Sequence, residues 1–151
     1  MQTKTDNKIP SGWKGCMITI ITKNRREFFG VIENDKMHYT KAGVVAGVIW
    51  NDVANCRQNI MRKEFVIMPD HMHGIILYKE ISTASELNSK NQIISISSLI
   101  SSYKSAVTKH CNNFNIEFSW QNGFHEQTIR SDWELESKIK YIKNNIKNWS
   151  K

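Results

Sequence analysis

Two apolar stretches, Glu64 to Met68 and Met72 to Tyr78, meet at Pro69-Asp70, and this junction constrains the fold more than any other part of the chain. Proline presets φ for a turn and aspartate bonds to nearby backbone, so the pair predicts strands that meet at a tight connection, a β-hairpin. Another strand is expected at Cys16 to Thr22, a β-branched run bounded by Gly15 and the charged Lys23-Asn24-Arg25-Arg26. Lys36 to Tyr39 reads as a short strand pairing beside it, and Phe118 to Ile129 as extended chain.

Helices fill the intervals. Thr40 is placed to cap one that runs to Cys56 with Val45, Val48, Ile49 and Val53 on one side; Gly43 and Gly47, four apart, fit a close helix-to-sheet contact. Ile100, Tyr103, Val107 and Cys111 recur at helical spacing in a second helix from Ser97 to Asn112. Ser131 and Glu134 form a capping box at the head of a third, with acids in its first turn and lysines after it, as the helix dipole favours. Its stripe Leu135, Ile139, Ile142, Ile146 and Trp149 should pack on the sheet. The order of elements implies an α+β, ferredoxin-like fold. It has an antiparallel sheet of four to five strands, helices on one face, and one added C-terminal helix.

At 151 residues the chain reads as a single domain, 1–151, with a flexible tail at 1–12 and an exposed, Ser-, Asn- and Lys-rich loop at 80–95. No run of about 18 apolar residues is present to cross a bilayer, and the polar N-terminus lacks the apolar core of a secretory signal, so the expected location is the cytoplasm. Cys16, Cys56 and Cys111 are widely spaced with no C-x-x-C pair, which argues against a disulfide frame or a thiolate zinc site. Lys and Arg outnumber Asp and Glu by 21 to 14, a net charge of +7 that suits a polyanionic partner without identifying one.

The chemistry concentrates at His71-Met72-His73, where residues two apart on a strand point to the same face and both imidazoles can reach one metal ion. An isolated H-x-H more often marks two half-buried histidines in ordinary hydrogen bonds. The second half of the constellation is Tyr141 and Asn145, four apart and so neighbours on one helix face. Asn145 offers an amide oxygen as a further ligand and Tyr141 a hydroxyl nucleophile. Without the histidines, the same two residues would read as a rim tyrosine beside a solvated amide.

Taken together, these pieces resemble the REP-associated tyrosine transposases, within the insertion-sequence 200-like superfamily of single-tyrosine HUH transposases. The matching segments, in order, are Ile18 to Arg25, Phe29-Gly30, Met68-Pro69-Asp70-His71-Met72-His73-Gly74-Ile75, Ser102 to Ser105, Trp120-Gln121, Thr128 to Arg130, and Tyr141-Ile142 with Asn145 and Trp149. Each is short; their order and spacing carry the likeness. The resemblance implies that His71, His73 and Asn145 hold a divalent ion, Mg²⁺ or Mn²⁺, and that Tyr141 is the nucleophile. It implies a single-stranded DNA endonuclease and strand transferase acting on hairpin or palindromic repeats through a 5′-phosphotyrosine link. The family usually has proline after that asparagine. Here Ile146 follows, which suggests a helix continuing to Trp149.

Lys104 and Arg130 are candidates for phosphate contacts, and Trp120, Phe124 and His125 for stacking on unpaired bases; solvation or core packing is the plainer role for each. Larger transposases of the group work as dimers with shared sites while REP-associated relatives can act as monomers, so a homodimer is one of two arrangements left open. Two other readings stand beside the mobile enzyme. One is a domesticated nuclease that processes repeats, and the other a non-catalytic single-strand binding module on a ferredoxin-like sheet.

Overall fold

The computed structural model describes residues 7–53, 57–80 and 94–149. In chain order these form β1 (Lys14–Ile21), β2 (Gly30–Glu33), β3 (Lys36–Tyr39), α1 (Lys41–Asp52), β4 (Ile60–Met68), β5 (His71–Tyr78), α2 (Ile96–Asn113), β6 (His125–Ile129) and α3 (Asp132–Lys143). The fold is α+β. Four strands make one antiparallel sheet in the order β4-β5-β1-β6, with the most buried strand, β5, held between β4 and β1.

Pro69-Asp70 makes the expected tight connection between β4 and β5, and the loop after β1 holds it in place. Phe29 N donates to Pro69 O at 3.0 Å and Thr22 N to Asp70 O at 3.0 Å, so both turn carbonyls are satisfied. β3 does not pair beside β1. It pairs with β2 in a separate two-stranded sheet, because Asn34 and Asp35, at φ 52° and 62°, form the two-residue turn of a self-contained hairpin.

Alternation along the strands divides the core in two. Cys16, Ile18, Ile20, Met72 and Ile76 face α1 and α2, whereas Met17, Val66, Ile75, Leu77 and Ile129 face α3. Two helices therefore cover one face and the C-terminal helix the other. Leu135, Ile139 and Ile142 of α3 are at most 5% exposed, and burying an aliphatic side chain of this size contributes roughly 1.5–3 kcal/mol.

Several sequence expectations change. α1 turns its small residues inward. Ala42, Gly43, Ala46 and Trp50 are buried, while Val44 and Val48 are exposed at 53% and 58%. Val45, Ile49 and Val53 of the expected stripe pack against the core and Val48 does not; a Cβ at Gly43 would collide with the Phe29 carbonyl, so the helix approaches most closely on its small residues. Gly47 meets no such neighbour. Only His125–Ile129 of the 118–129 segment is strand, since Gly123, at φ 77°, turns the chain before it. α3 ends at Lys143, where Asn144 leaves helical geometry, and hydrogen-bonded turns carry the chain on to Trp149.

The expected tail is in part tied down: Ile9 N donates to Asp132 Oδ1 at 2.8 Å, and Ile9 and Trp13 pack against the α3 side of the core. Most of the expected 80–95 loop, along with Cys56, lies outside the described residues, but the loop's two roots are joined. The buried amide of Asn59 donates to Lys79 O at 3.1 Å and to Ile94 O at 2.7 Å. Among the described residues no helix is long and apolar enough to cross a membrane.

Candidate active site

β5 opens directly from the Pro69-Asp70 turn, so His71 and His73 stand at the turn end of the sheet on the face that α3 covers. Their rings meet edge to face with centroids 4.6 Å apart, and both residues are buried. His71 Nδ1 lies 2.6 Å from Asp70 Oδ1; a carboxylate only accepts, so Nδ1 carries the proton and Nε2 keeps its lone pair. His73 Nδ1 is 2.8 Å from Oγ1 of Thr19, the residue opposite it on β1. With Nδ1–H donating to that hydroxyl, His73 also presents a free Nε2.

Burial lowers both imidazole pKa values. His71 falls because desolvation outweighs the hydrogen bond to Asp70. His73 is pushed down to about 4 by desolvation first, then by the charges of His71, Arg25 and Lys138. Both rings are therefore neutral at pH 7, the state in which imidazole binds a metal.

α3 brings Tyr141 to this pair. Ser131 Oγ accepts from Glu134 N at 3.0 Å to start the helix, while Glu134 Oε2 accepts from Arg130 N at 3.2 Å, one residue earlier than the expected box partner. The stripe beginning at Leu135 then docks on the sheet, which lays the ring of Tyr141 edge-on to His73 at 5.6 Å between centroids. Tyr141 is half exposed, open to a bulky substrate. Asn145 lies just past the helix, its N–H bonded to Ile142 O at 3.1 Å, and is only 9% exposed. Among the described residues its amide makes no hydrogen bond. Trp149 closes the same end, 6.3 Å from the His71 ring.

The other expected contacts divide by location. Trp120 and Phe124 pack on the α1/α2 side of the sheet, and Trp120 Nε1 donates to Lys104 O at 3.1 Å; neither ring joins the histidines. Lys104 spends two N–H groups at 2.9 Å each on Gln121 O and Gly123 O, holding a loop. Arg130 is exposed at the head of α3. His125 pairs with Thr19 across the sheet, so His73, Thr19 and His125 form one row on the α3 face.

Sequence reasoning passed over four residues. Asp70 and Thr19 orient the imidazoles, Arg25 reaches Asp70 Oδ2 at 3.4 Å, and Lys138, one turn before Tyr141, adds positive charge near His73. Only Asp70, adjacent to His71 in the chain, left a readable trace. Among the described residues no three His, Cys, Asp or Glu side chains cluster for a metal, so any ion on the histidine pair takes its next protein ligand from another donor type.

No family model matches this sequence. An uncharacterized protein of Haemophilus influenzae (strain KW20/Rd) is 30% identical over 143 residues, spanning 87% of this chain and 79% of its own length. Among solved structures, a REP-associated tyrosine transposase bound to a REP hairpin superposes with a TM-score of 0.62 at 19% identity, over 99% of this chain and 80% of its own. The chain thus belongs to one protein family with the uncharacterized Haemophilus influenzae protein, and it has the α+β fold of that transposase.

Proposed function

We propose that this protein is a metal-dependent endonuclease and strand transferase for single-stranded DNA, with Tyr141 as its nucleophile. The observation that carries the reading is the 5.6 Å approach of the Tyr141 ring to His73, itself 4.6 Å from His71. A phenol and two neutral imidazoles at a partly open rim suit attack on a phosphodiester.

The donor set fits a divalent ion. The two imidazoles, 4.6 Å apart between centroids, stand on one face of the sheet with their Nδ1 atoms engaged, and Asn145, 9% exposed, adds an amide with no protein partner among the described residues. Imidazole and amide donors also suit Zn²⁺ or Ni²⁺; Mg²⁺ or Mn²⁺ follows from the resemblance to HUH transposases. When bound, such an ion supplies charge neutralisation at the scissile phosphate.

Tyr141 Oη attacks phosphorus in line, forming a new P–O bond as the bond to the 3′ oxygen breaks. The phenol proton passes to solvent at this half-exposed position, and the departing 3′ oxygen takes up a proton to become a hydroxyl. The 5′ phosphate remains linked to tyrosine, so a 3′ hydroxyl can reverse the step and join strands without ATP. Lys138 and Arg25 offset the negative charge of the approaching strand. The structurally similar transposase is bound to a REP hairpin, which supports hairpin DNA as the substrate here.

The test is incubation with single-stranded hairpin DNA labelled at either end, with Mn²⁺ or with EDTA. The 3′-labelled fragment should become covalently attached to protein, the 5′-labelled fragment should end in a free hydroxyl, and Tyr141→Phe should abolish both products. Cleavage that survives Tyr141→Phe, or that leaves no protein-DNA adduct, rules the mechanism out.

A further inference from the structure

A groove of about 920 Å³ lies between the 3-10 turn Lys23–Arg25 and the second half of α2. Its lining contains Lys23, Arg25, Lys104 and Lys109 and no carboxylate. Among the described residues Lys23 and Lys109 make no ion pair, and Arg25 reaches only Asp70 Oδ2, at 3.4 Å.

The fold builds this groove. Lys23 N donates to Ser119 O at 3.0 Å and Gln121 N to Ile21 O at 2.8 Å, and Lys104 clips the same loop through Gln121 O and Gly123 O. Asn24 and Arg25 both sit in the left-handed region, at φ 56° and 52°, a costly conformation for two consecutive non-glycine residues that turns the segment over the groove. On α2, Ser105, Thr108, Lys109 and Asn112 recur at helical spacing and form a polar wall. Asn24, Asn112, Asn113, Gln121 and Asn122 add amides that both donate and accept.

We infer that this groove binds an unpaired stretch of the DNA strand, with Lys23, Arg25 and Lys109 on its phosphates and the amides of Asn24, Asn112 and Asn113 on its base edges. Lysines without counter-ions, as Lys23 and Lys109 are among the described residues, favour a polyanion, and amides match Watson–Crick edges, which are exposed only in single strands. Recognition runs through edges and phosphates rather than stacking, because Trp120 is packed against Phe29, Phe118 and Tyr103. Asp70 joins the groove to the proposed catalytic pair, since its two oxygens hold His71 and Arg25, so a strand lying in the groove is led toward Tyr141. The inference rests on the proposed DNA substrate but not on the tyrosine chemistry.

Binding of a fluorescent 30-nucleotide mixed-sequence single strand, measured by anisotropy in EDTA across a salt series, is the test. Lys23→Ala with Lys109→Ala should weaken binding about tenfold and reduce the slope of log K against log salt by about 1 to 1.5, as loss of two phosphate contacts on a single strand requires. Asn112→Ala with Asn113→Ala should weaken binding and leave the slope unchanged. Lys36→Ala with Lys79→Ala, which removes equal charge elsewhere, should bind within twofold of wild type. Unchanged binding by the groove variants, equal loss in the Lys36/Lys79 control, or a loss seen only with duplex DNA overturns the inference. Because EDTA suppresses cleavage, failure of this test leaves the wild-type adduct assay intact, and failure of the adduct assay leaves this one intact.

Discussion

Asp70 and His71, neighbours in the chain, face each other across a 2.6 Å contact between Oδ1 and Nδ1, with the carboxylate only 5% exposed. The second oxygen of Asp70 meets Arg25 at 3.4 Å. One buried carboxylate therefore sets the tautomer of a proposed metal ligand and holds the guanidinium that borders the basic groove.

Asp70→Asn keeps the shape and removes the charge. An asparagine flipped to place its NH₂ toward His71 would favour the wrong tautomer, so Mn²⁺ affinity measured by calorimetry should fall about 10- to 100-fold, the usual effect of losing an outer partner of a ligating histidine. The fold should survive, as judged by an unchanged circular dichroism spectrum. Wild-type Mn²⁺ affinity in a folded Asp70→Asn protein would show that the carboxylate does not orient a ligand.

Gly74, immediately after the histidine pair, is a packing requirement. It points to the opposite face of β5, where a Cβ would run into the indole of fully buried Trp50. The ring is itself wedged edge-on against Tyr103 at 5.0 Å and cannot step aside cheaply. Gly74→Ala should lower stability by about 1–3 kcal/mol, the range for overpacking a core, visible in urea denaturation and as altered Trp fluorescence. A midpoint equal to wild type would mean that Trp50 has room to move.

These residues show what the sequence disclosed and what it withheld. The hairpin at Pro69-Asp70 and the start of α3 at Ser131 were legible because their signals are local: a turn dipeptide and a cap with its hydrogen bond three residues on. The inward face of α1 was legible only in part. Val45, Ile49 and Val53 pack as the spacing suggests, but Val48 is exposed and the close approach of Gly43 to Phe29 has no local signal. In the candidate site, His71, His73, Tyr141 and Asn145 were nominated from spacing and resemblance. Thr19 could not be, since its partnership with His73 exists only through the register of β1 on β5, and no local pattern encodes register. The groove was equally hidden, its cations being split between residues 23–25 and 104–109.

Cys16 and Cys111 should be inert thiols. Cys16 is fully buried in the central strand, where desolvation first and the charge of Glu126 second push its pKa up to about 12; burial also raises Cys111. A raised pKa keeps the thiol protonated, so even at pH 9 little reactive thiolate forms at Cys16. In a Cys56→Ser background, a disulfide reagent should label neither cysteine under native conditions and both in urea. Rapid native labelling of Cys16 would contradict its place in the core.

The position of Tyr141 depends on α3 staying docked, because among the described residues its half-exposed side chain makes no hydrogen bond and follows the helix. Two substitutions loosen that helix in different ways. Ser131→Ala removes the side chain that accepts from Glu134 N and should cost about 1 kcal/mol. Leu135→Ala deletes a fully buried side chain between α3 and the sheet and should cost about 2–5 kcal/mol, depending on how far the site collapses. Neither residue is among the hydrogen-bond partners that orient His71 and His73, so Mn²⁺ affinity should change far less than stability. Adduct formation on hairpin DNA should decline in the order of the stability losses, wild type above Ser131→Ala above Leu135→Ala, at a temperature where all three remain folded. Full adduct yield in a folded Leu135→Ala protein would mean that docking of α3 does not position the tyrosine.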